Sequence, residues 1–201
     1  MGYEVVVIGT SQGGLQGLEV LLADLPAHFP SVVAIVQHRS KEVEDMLASL
    51  LQEHRCLPVQ EAEDKMPMVP GHVYLAPADF HLLVEPGRFA LSSEEPVWCA
   101  RPSIDVLFES CADAYGSSAI GVILTGANAD GAQGLAAIKA RGGLAIVQDP
   151  KTAENRVMCD AALAATAVDK VLPLEEIGPF LAEVCIPLPK PAGATAALKG
   201  K

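Results

Sequence analysis

Two hydrophobic periodicities alternate along this chain of 201 residues. Residues 4–8 form a continuous apolar run of strand length, which is typical of a strand buried on both faces of a parallel sheet. Residues 15–25 follow with the apolar spacing of an amphipathic helix. The same alternation predicts further strands at 31–37, 120–124, 144–148 and 170–172, and further helices at 42–54, 103–115, 132–141, 157–166 and 174–184. This order predicts an α/β fold with a doubly wound, mainly parallel sheet flanked by helices.

Residues 58–91 interrupt this alternation. Four short β-rich runs are separated there by Pro-Gly and Pro-Ala turns, so we interpret the segment as a short, partly antiparallel excursion rather than another βαβ unit. Residues 1–186 are expected to form one domain. Residues 187–201 are rich in Pro, Ala, Gly and Lys, and we expect them to form a flexible C-terminal tail.

Composition and charge narrow the classes of function. With 14 Lys+Arg and 25 Asp+Glu the net charge is −11, which argues against nucleic acid or an anionic membrane surface as a partner. No apolar run approaches the roughly 20 residues that a membrane span requires. Five cysteines without a C-x-x-C pair indicate neither a disulfide framework nor a zinc site, and we predict no metal. Because the N-terminus also enters a strand without a signal peptide, a cytoplasmic location is expected.

The chemistry is expected in the loops that follow three predicted strands. Ligands of open α/β sheets bind outside the carboxyl ends of the strands. The loops after residues 4–8, 31–37 and 120–124 carry Ser11, His38 and Asp130. Serine, histidine and aspartate are the nucleophile, base and orienting acid of a hydrolase triad, so this coincidence is the strongest functional signal in the sequence.

The first loop, Gly-Thr-Ser-Gln-Gly at residues 9–13, has several competing interpretations. It fails as a dinucleotide fingerprint because Ser11 replaces a required glycine, and as a phosphate-binding loop because Leu15 replaces a required lysine, so no cofactor is predicted. It matches G-x-S-x-G, in which a sharp strand-to-helix turn presents a nucleophilic hydroxyl. The backbone N–H of Gln12 is then a candidate oxyanion donor. The alternative is that Ser11 only caps the following helix.

His38 and Asp130 complete the candidate triad. The strand that ends at His38 is expected beside the first strand, which would let its ring face Ser11. Asp130 has a competing role as the cap of the next helix, and Asp105 and Asp149 are rival acids. Asp105 lies inside a first helical turn and Asp149 lies further along the sheet, so Asp130 is preferred. The order Ser, His, Asp also excludes an ordinary α/β-hydrolase, whose acid precedes its histidine.

Several segments resemble, in order, the catalytic domain of CheB-type protein-glutamate methylesterases. The matching segments are IGTSQGG at 8–14, IVQH at 35–38, GHVYLAP at 71–77, RPSIDVLF at 101–108, GVILTG at 121–126, ADGAQGL at 129–135 and IVQDPKTA at 146–153. The resemblance implies that residues 1–186 are a methylesterase catalytic domain with Ser11 as nucleophile, His38 as base and Asp130 as orienting acid. Its implied activity is hydrolysis of glutamyl methyl esters, and in many members deamidation of glutamines, on chemoreceptor signalling helices through an acyl-enzyme.

The sequence departs from the family pattern near the site. Ala127 stands where the family usually has Met beside the oxyanion pocket, and Arg39-Ser40 replaces Met-Pro after His38. Residues 157–159 are Val-Met-Cys where the family has Gly-Met-Pro. We take Gln12, Gly13, Ala127 and Arg39 as the oxyanion and substrate-binding positions. Two alternatives stay open, a serine esterase or amidase for another substrate and a catalytically weak module that docks on receptors.

The resemblance also bears on partners. A methylated chemoreceptor or similar signalling protein is the expected substrate. Family members usually carry a receiver domain before the catalytic one, and nothing precedes Tyr3 here, so we expect no phosphorylation in cis and name a separate regulatory receiver protein as a candidate partner. Because receptor helices are Glu-rich, the charge of −11 provides no general attraction. Arg39, Arg101 and Arg156 are the candidates for a local positive patch at the mouth of the site.

Overall fold

The computed structural model describes residues 2–38, 47–53 and 56–186. Its strands are β1 (Val5–Thr10), β2 (Val32–Gln37), β3 (Val59–Glu61), β4 (Val73–Leu75), β5 (His81–Glu85), β6 (Arg88–Ser92), β7 (Ala119–Ile123), β8 (Leu144–Gln148) and β9 (Lys170–Leu172). Its helices are α1 (Gly14–Ala23), α2 (Leu47–Gln52), α3 (Ile104–Tyr115), α4 (Ala132–Ala140), α5 (Val157–Ala165) and α6 (Leu174–Val184). The predicted tail at 187–201, residues 42–46 and 54 of the predicted second helix, and Arg39 lie outside the described residues. Across these ranges, no helix combines the length and hydrophobicity needed to cross a membrane.

Seven strands form one parallel sheet in the order β3-β4-β2-β1-β7-β8-β9. On one face, Val5 and Val7 of β1 enter the core that also contains residues of α3, α4 and α5. On the other face, Val6 and Ile8 enter the core that contains residues of α1 and α6. Burial on both faces explains why this strand is apolar at successive positions. The predicted α/β class and doubly wound sheet are confirmed.

The excursion at 58–91 contains four short strands, and they divide between two sheets. β3 and β4 join the main sheet as parallel strands at its edge. β5 and β6 pair antiparallel in a separate hairpin. Leu82 and Phe89 of this hairpin are buried in the core, and the Val84 N–H donates to Ser110 Oγ of α3 at 3.0 Å. The antiparallel part of the excursion is therefore confined to one hairpin that packs on α3.

β1 is the point at which the chain changes direction across the sheet, since β2 lies on one side of it and β7 on the other. The helix after β1 packs on one face of the sheet and the helix after β7 on the opposite face. Diverging connections of this kind open a crevice at the carboxyl ends of the strands. The three loops at this edge are joined by backbone hydrogen bonds, from His38 N to Thr10 O and from Ser11 N to Thr125 O, both 3.0 Å long.

Candidate active site

Ser11 lies in the tight turn between β1 and α1. Gly13 adopts a left-handed φ of 77°, and a Cβ at this position would lie 2.6 Å from a carboxylate oxygen of Glu154. The turn therefore requires glycine there. Within the described residues, the hydroxyl of Ser11 and the backbone N–H of Gln12 have no hydrogen-bond partner. Ser11 lines a cleft of about 400 Å³ together with Gly13, Gln37 and Glu154.

His38 follows β2 and joins the first loop to the loop after β7. Its Nε2 lies 2.8 Å from Oδ2 of Asp130, and its side chain is only 12% exposed. Its Nδ1 lies 3.4 Å from Nδ2 of Asn128. Since Nε2 is engaged by the carboxylate, Nδ1 is the ring nitrogen that remains for other partners. Among the described contacts, no direct hydrogen bond joins the Ser11 hydroxyl to this ring.

Asp130 is fully buried, yet its carboxylate is surrounded by donors. Besides His38, it accepts hydrogen bonds from Ser103 Oγ at 2.8 Å, from Ile104 N at 2.7 Å and from Asp105 N at 3.0 Å. Burial alone would raise the pKa of this carboxyl. The hydrogen bonds from His38 and from the two backbone N–H groups outweigh burial and hold the pKa of Asp130 below its ordinary value. The group is thus a charged acceptor for the His38 ring.

The capping roles of two aspartates are exchanged between two helices. Asp130 caps the first turn of α3, the helix that begins at Ile104, rather than the helix that follows it in sequence. Asp105 of α3 in turn accepts the Gly134 N–H of α4 at 2.7 Å and the Trp98 Nε1–H at 3.1 Å. Burial raises the pKa of Asp105. The alternative role of Asp130 as the cap of α4 is therefore wrong, because that function belongs to Asp105.

The remaining rival acid also has its own structural role. Oδ1 of Asp149 accepts the Lys151 N–H at 2.9 Å within the turn after β8, and no hydrogen bond joins it to His38 among the described residues. Neither rival aspartate contacts the imidazole. The structure thus brings His38 and Asp130 together beside the Ser11 turn and leaves Asp105 and Asp149 outside the contact.

The oxyanion and substrate-binding positions surround the Ser11 turn only in part. The side-chain amide of Gln12 interacts with Glu154 Oε1 at 3.4 Å and with Asn155 Nδ2 at 3.2 Å. Ala127 is exposed in the loop after β7, and the neighbouring Gly126 is held by backbone hydrogen bonds from Met158 and to Asn155, both 3.0 Å. Arg39 lies outside the described residues. Gln12 and Gly13 thus belong to the Ser11 turn, whereas Ala127 belongs to the loop that carries Asp130.

Both described arginines of the expected positive patch are paired with acidic side chains. Arg101 donates to Asp79 Oδ1 and to the carbonyl oxygens of Ser93 and Glu94. Arg156 forms a bidentate pair with Asp160. The cleft at Ser11 is instead lined by the carboxylates of Glu19 and Glu154. Both guanidinium groups are thus paired with acids, and a role for Arg39, Arg101 or Arg156 in a positive patch stays a prediction.

Three residues near the site were not predicted from the sequence. Asn128 contacts the His38 ring, Ser103 donates a hydrogen bond to Asp130, and the Glu154 side chain packs against Gly13. A signal for Asn128 exists, since an Asn two residues before a loop aspartate is a common turn former. Glu154 has no local signal, because it reaches Ser11 from a loop far away in sequence. Among the residues that the structure describes, no group of three or more His, Cys, Asp or Glu is arranged to hold a metal ion.

Comparison with known proteins gives one consistent result. The profile of the CheB methylesterase family matches residues 6–181. A protein of Leptospira interrogans, named for protein-glutamate methylesterase/protein-glutamine glutaminase activity, is 47% identical over 178 residues, which are 88% of this chain and 92% of that protein. Protein-glutamate methylesterase/protein-glutamine glutaminase 2 of Anaeromyxobacter dehalogenans is 42% identical over 181 residues, 90% of this chain but 53% of that protein.

A solved structure agrees with the sequence comparisons. The crystal structure of the Thermotoga maritima CheB methylesterase catalytic domain matches with a TM-score of 0.86 and 35% sequence identity. The match covers 91% of this chain and 99% of the crystallised one. The described fold is therefore similar to that whole catalytic domain.

Proposed function

Because this chain belongs to the CheB methylesterase family, we propose that it is a serine hydrolase that removes methyl groups from glutamyl esters of a protein and also deamidates glutamine side chains. The observation that carries the mechanism is the 2.8 Å contact between His38 Nε2 and the buried carboxylate of Asp130, beside the Ser11 turn. A neutral imidazole oriented by a buried carboxylate is the base that a weak hydroxyl nucleophile needs.

In the proposed acylation step, Nδ1 of His38 takes the proton of Ser11 as Oγ attacks the ester carbonyl. The charge of Asp130 stabilises the imidazolium that forms. The backbone N–H of Gln12 donates to the developing oxyanion, and the loop at Ala127 forms the opposite wall of that pocket. The intermediate collapses when His38 returns the proton to the leaving oxygen, so that methanol departs and the glutamyl group remains on Ser11.

Deacylation repeats these roles with water as the nucleophile. His38 removes a proton from water, which attacks the glutamyl ester of Ser11, and the same proton returns to the serine oxygen. The products are a free glutamate side chain and the regenerated enzyme. A glutamine substrate follows the same path with ammonia as the leaving group, which requires His38 to protonate nitrogen instead of oxygen.

The proposed substrate is a methylated chemoreceptor or a similar cytoplasmic signalling protein, following the family resemblance. A cytoplasmic location of the enzyme belongs to this proposal, and the five free cysteines are compatible with a reducing compartment. Ala127 and the acidic cleft leave open a different ester or amide as the preferred substrate, which is the second candidate. A separate receiver protein as the regulator also belongs to the proposal.

The test measures methanol release from receptor membranes that carry radioactive methyl groups, with Ser11→Ala as the matched variant. We expect release by the wild type and none above background by the variant. Release that survives the substitution would exclude Ser11 as the nucleophile. Turnover of simple methyl esters without release from receptors would favour another ester as the substrate. Receptor binding without either turnover would favour a docking module.

A further inference from the structure

Asn128 contacts both members of the His38–Asp130 pair. Its Nδ2 lies 3.4 Å from His38 Nδ1, and its Oδ1 accepts the backbone N–H of Asp130 at 3.2 Å. The second contact decides which end of the amide faces the ring, because a backbone N–H can only donate and so requires the amide oxygen. The NH₂ group, which can only donate, is therefore the end that faces Nδ1.

This orientation determines where the ring carries its proton. A neutral ring that donates from Nε2 to Asp130 and accepts the Asn128 N–H at Nδ1 satisfies both contacts, with its lone pair on Nδ1. That lone pair is the one that would receive the Ser11 proton. We infer that Asn128 is a positioning residue that keeps Nδ1 of His38 unprotonated, and that the Ser11 hydroxyl replaces the Asn128 N–H at this lone pair when the proton is transferred, an inference that rests on the proposed serine-hydrolase function.

The negatively charged groups near the ring favour its protonated form, in which Nδ1 carries a hydrogen. Asp130 contacts the ring from the loop after β7, and Asp105 of α3 lies directly behind it. Glu19 of α1 and Glu154 of the loop after β8 line the cleft at Ser11. Carboxylates stabilise a protonated imidazolium, which cannot serve as a base. A protonated Nδ1 would point its hydrogen at the NH₂ group of Asn128. This side chain therefore opposes the protonated form of the ring that the surrounding carboxylates stabilise.

Two substitutions of Asn128 distinguish its contact with His38 Nδ1 from its contact with the Asp130 N–H. Asn128→Asp keeps an oxygen for the Asp130 N–H but places an acceptor against Nδ1, whereas Asn128→Ala removes both contacts. We expect the acid limb of the pH profile of kcat/KM to move to higher pH, by about half a unit in Asn128→Ala and about one unit or more in Asn128→Asp. Because the aspartate retains the turn contact, it remains informative if the alanine variant folds poorly.

Gln133→Glu is the matched control for charge. Gln133 is exposed in the first turn of α4, three positions after Asp130, and its replacement adds the same negative charge on the protein surface. We expect its acid limb to coincide with that of the wild type. A shift as large as that of Asn128→Asp would attribute the effect to charge alone and would overturn the inference.

Nitrogen-15 NMR of the His38 ring tests the same inference without turnover. We expect a protonated Nε2 and an unprotonated Nδ1 in the wild type at neutral pH, and titration of the ring at higher pH in both Asn128 variants. A proton on Nδ1 in the neutral wild-type ring, or titration at one pH in all three proteins, would overturn the inference. Absence of methanol release by the wild type would count against the proposed function, while this measurement would still decide the role of Asn128.

Discussion

Asp130 is the residue on which the electrostatics of the site depend. An isolated buried carboxylate is costly, and this one is stabilised by donors from His38, Ser103 and the first turn of α3. Those donors favour the ionised carboxylate, and an ionised carboxylate favours a proton on the His38 nitrogen that faces it. The same contacts therefore stabilise the fold and orient the His38 ring.

Asp130→Asn is expected to lower kcat for methanol release by about 10³- to 10⁴-fold. An asparagine preserves the shape of the side chain, but its NH₂ group or its neutral oxygen would face Nε2, so the ring would lose its charged acceptor. The measurement is the kcat of each purified variant, with folding checked by thermal unfolding.

Ser103→Ala is the matched control for that substitution. It removes one donor to Asp130 while leaving the contact with His38, and we expect a loss of about tenfold or less, in keeping with a single hydrogen bond. A kcat for Asp130→Asn within tenfold of the wild type would contradict the assigned role of Asp130.

At the scale of elements, α3 and α4 are coupled by the exchange of caps. Asp130, which precedes α4, accepts N–H groups of α3, and Asp105 of α3 accepts the Gly134 N–H of α4. Helix N-termini carry partial positive charge, so each carboxylate is favoured where it lies. The exchange fixes the N-terminus of α3 against the loop that carries Asp130.

Asp105→Ala is expected to lower the free energy of unfolding by about 1–2 kcal/mol, the usual cost of losing a helix cap, and to lower kcat as well. The loss of activity follows because α4, which begins just after the Asp130 loop, would lose its contact with α3 through the Gly134 N–H. Chemical denaturation and methanol release measure the two effects. Asp160→Ala, which breaks only an exposed pair with Arg156 on α5, should leave both nearly unchanged. Equal behaviour of the two variants would contradict the coupling.

Most helices and strands could be predicted from periodicity, since the bounds of β8, β9 and α6 coincide with the prediction. A central strand that is buried on both faces has a continuous apolar run. The local sequence pattern is therefore enough to predict such a strand. The assignment of β3 and β4 to the main sheet could not be predicted, because strands of three residues carry no signal of their partners. The exchanged caps could not be predicted either, because each joins a carboxylate to a helix that is distant in sequence.

At the scale of the molecule, the Ser11, His38 and Asp130 loops could be placed at one edge because parallel strands bring their carboxyl ends together. Other neighbours of the site depend on tertiary packing. Glu154 reaches the cleft through the loop after β8, and the pairing of Arg101 with Asp79 joins distant segments. The pairing of Arg156 with Asp160 was readable in principle, since the two residues are four positions apart at the start of α5, where Arg156 is the N-cap.

The acidic surface predicts an unusual response to salt. The chain carries a net charge of −11, and Glu19 and Glu154 line the cleft. Repulsion of a Glu-rich receptor segment is screened by added salt, so kcat/KM for a methylated receptor peptide is expected to rise about twofold or more between 0.05 and 0.5 M salt. A neutral methyl ester of similar size should show little change. A fall of kcat/KM with salt for the receptor peptide would indicate a positive patch instead.

The most direct test of the central claim is covalent labelling of the nucleophile by a fluorophosphonate, followed by peptide mass spectrometry. The label requires a serine hydroxyl that a neighbouring base has activated. We predict a single adduct on Ser11 in the wild type and labelling slowed by at least about 100-fold in His38→Ala and in Asp130→Asn. An adduct on another residue, or equal labelling of Ser11 in all three proteins, would contradict the triad.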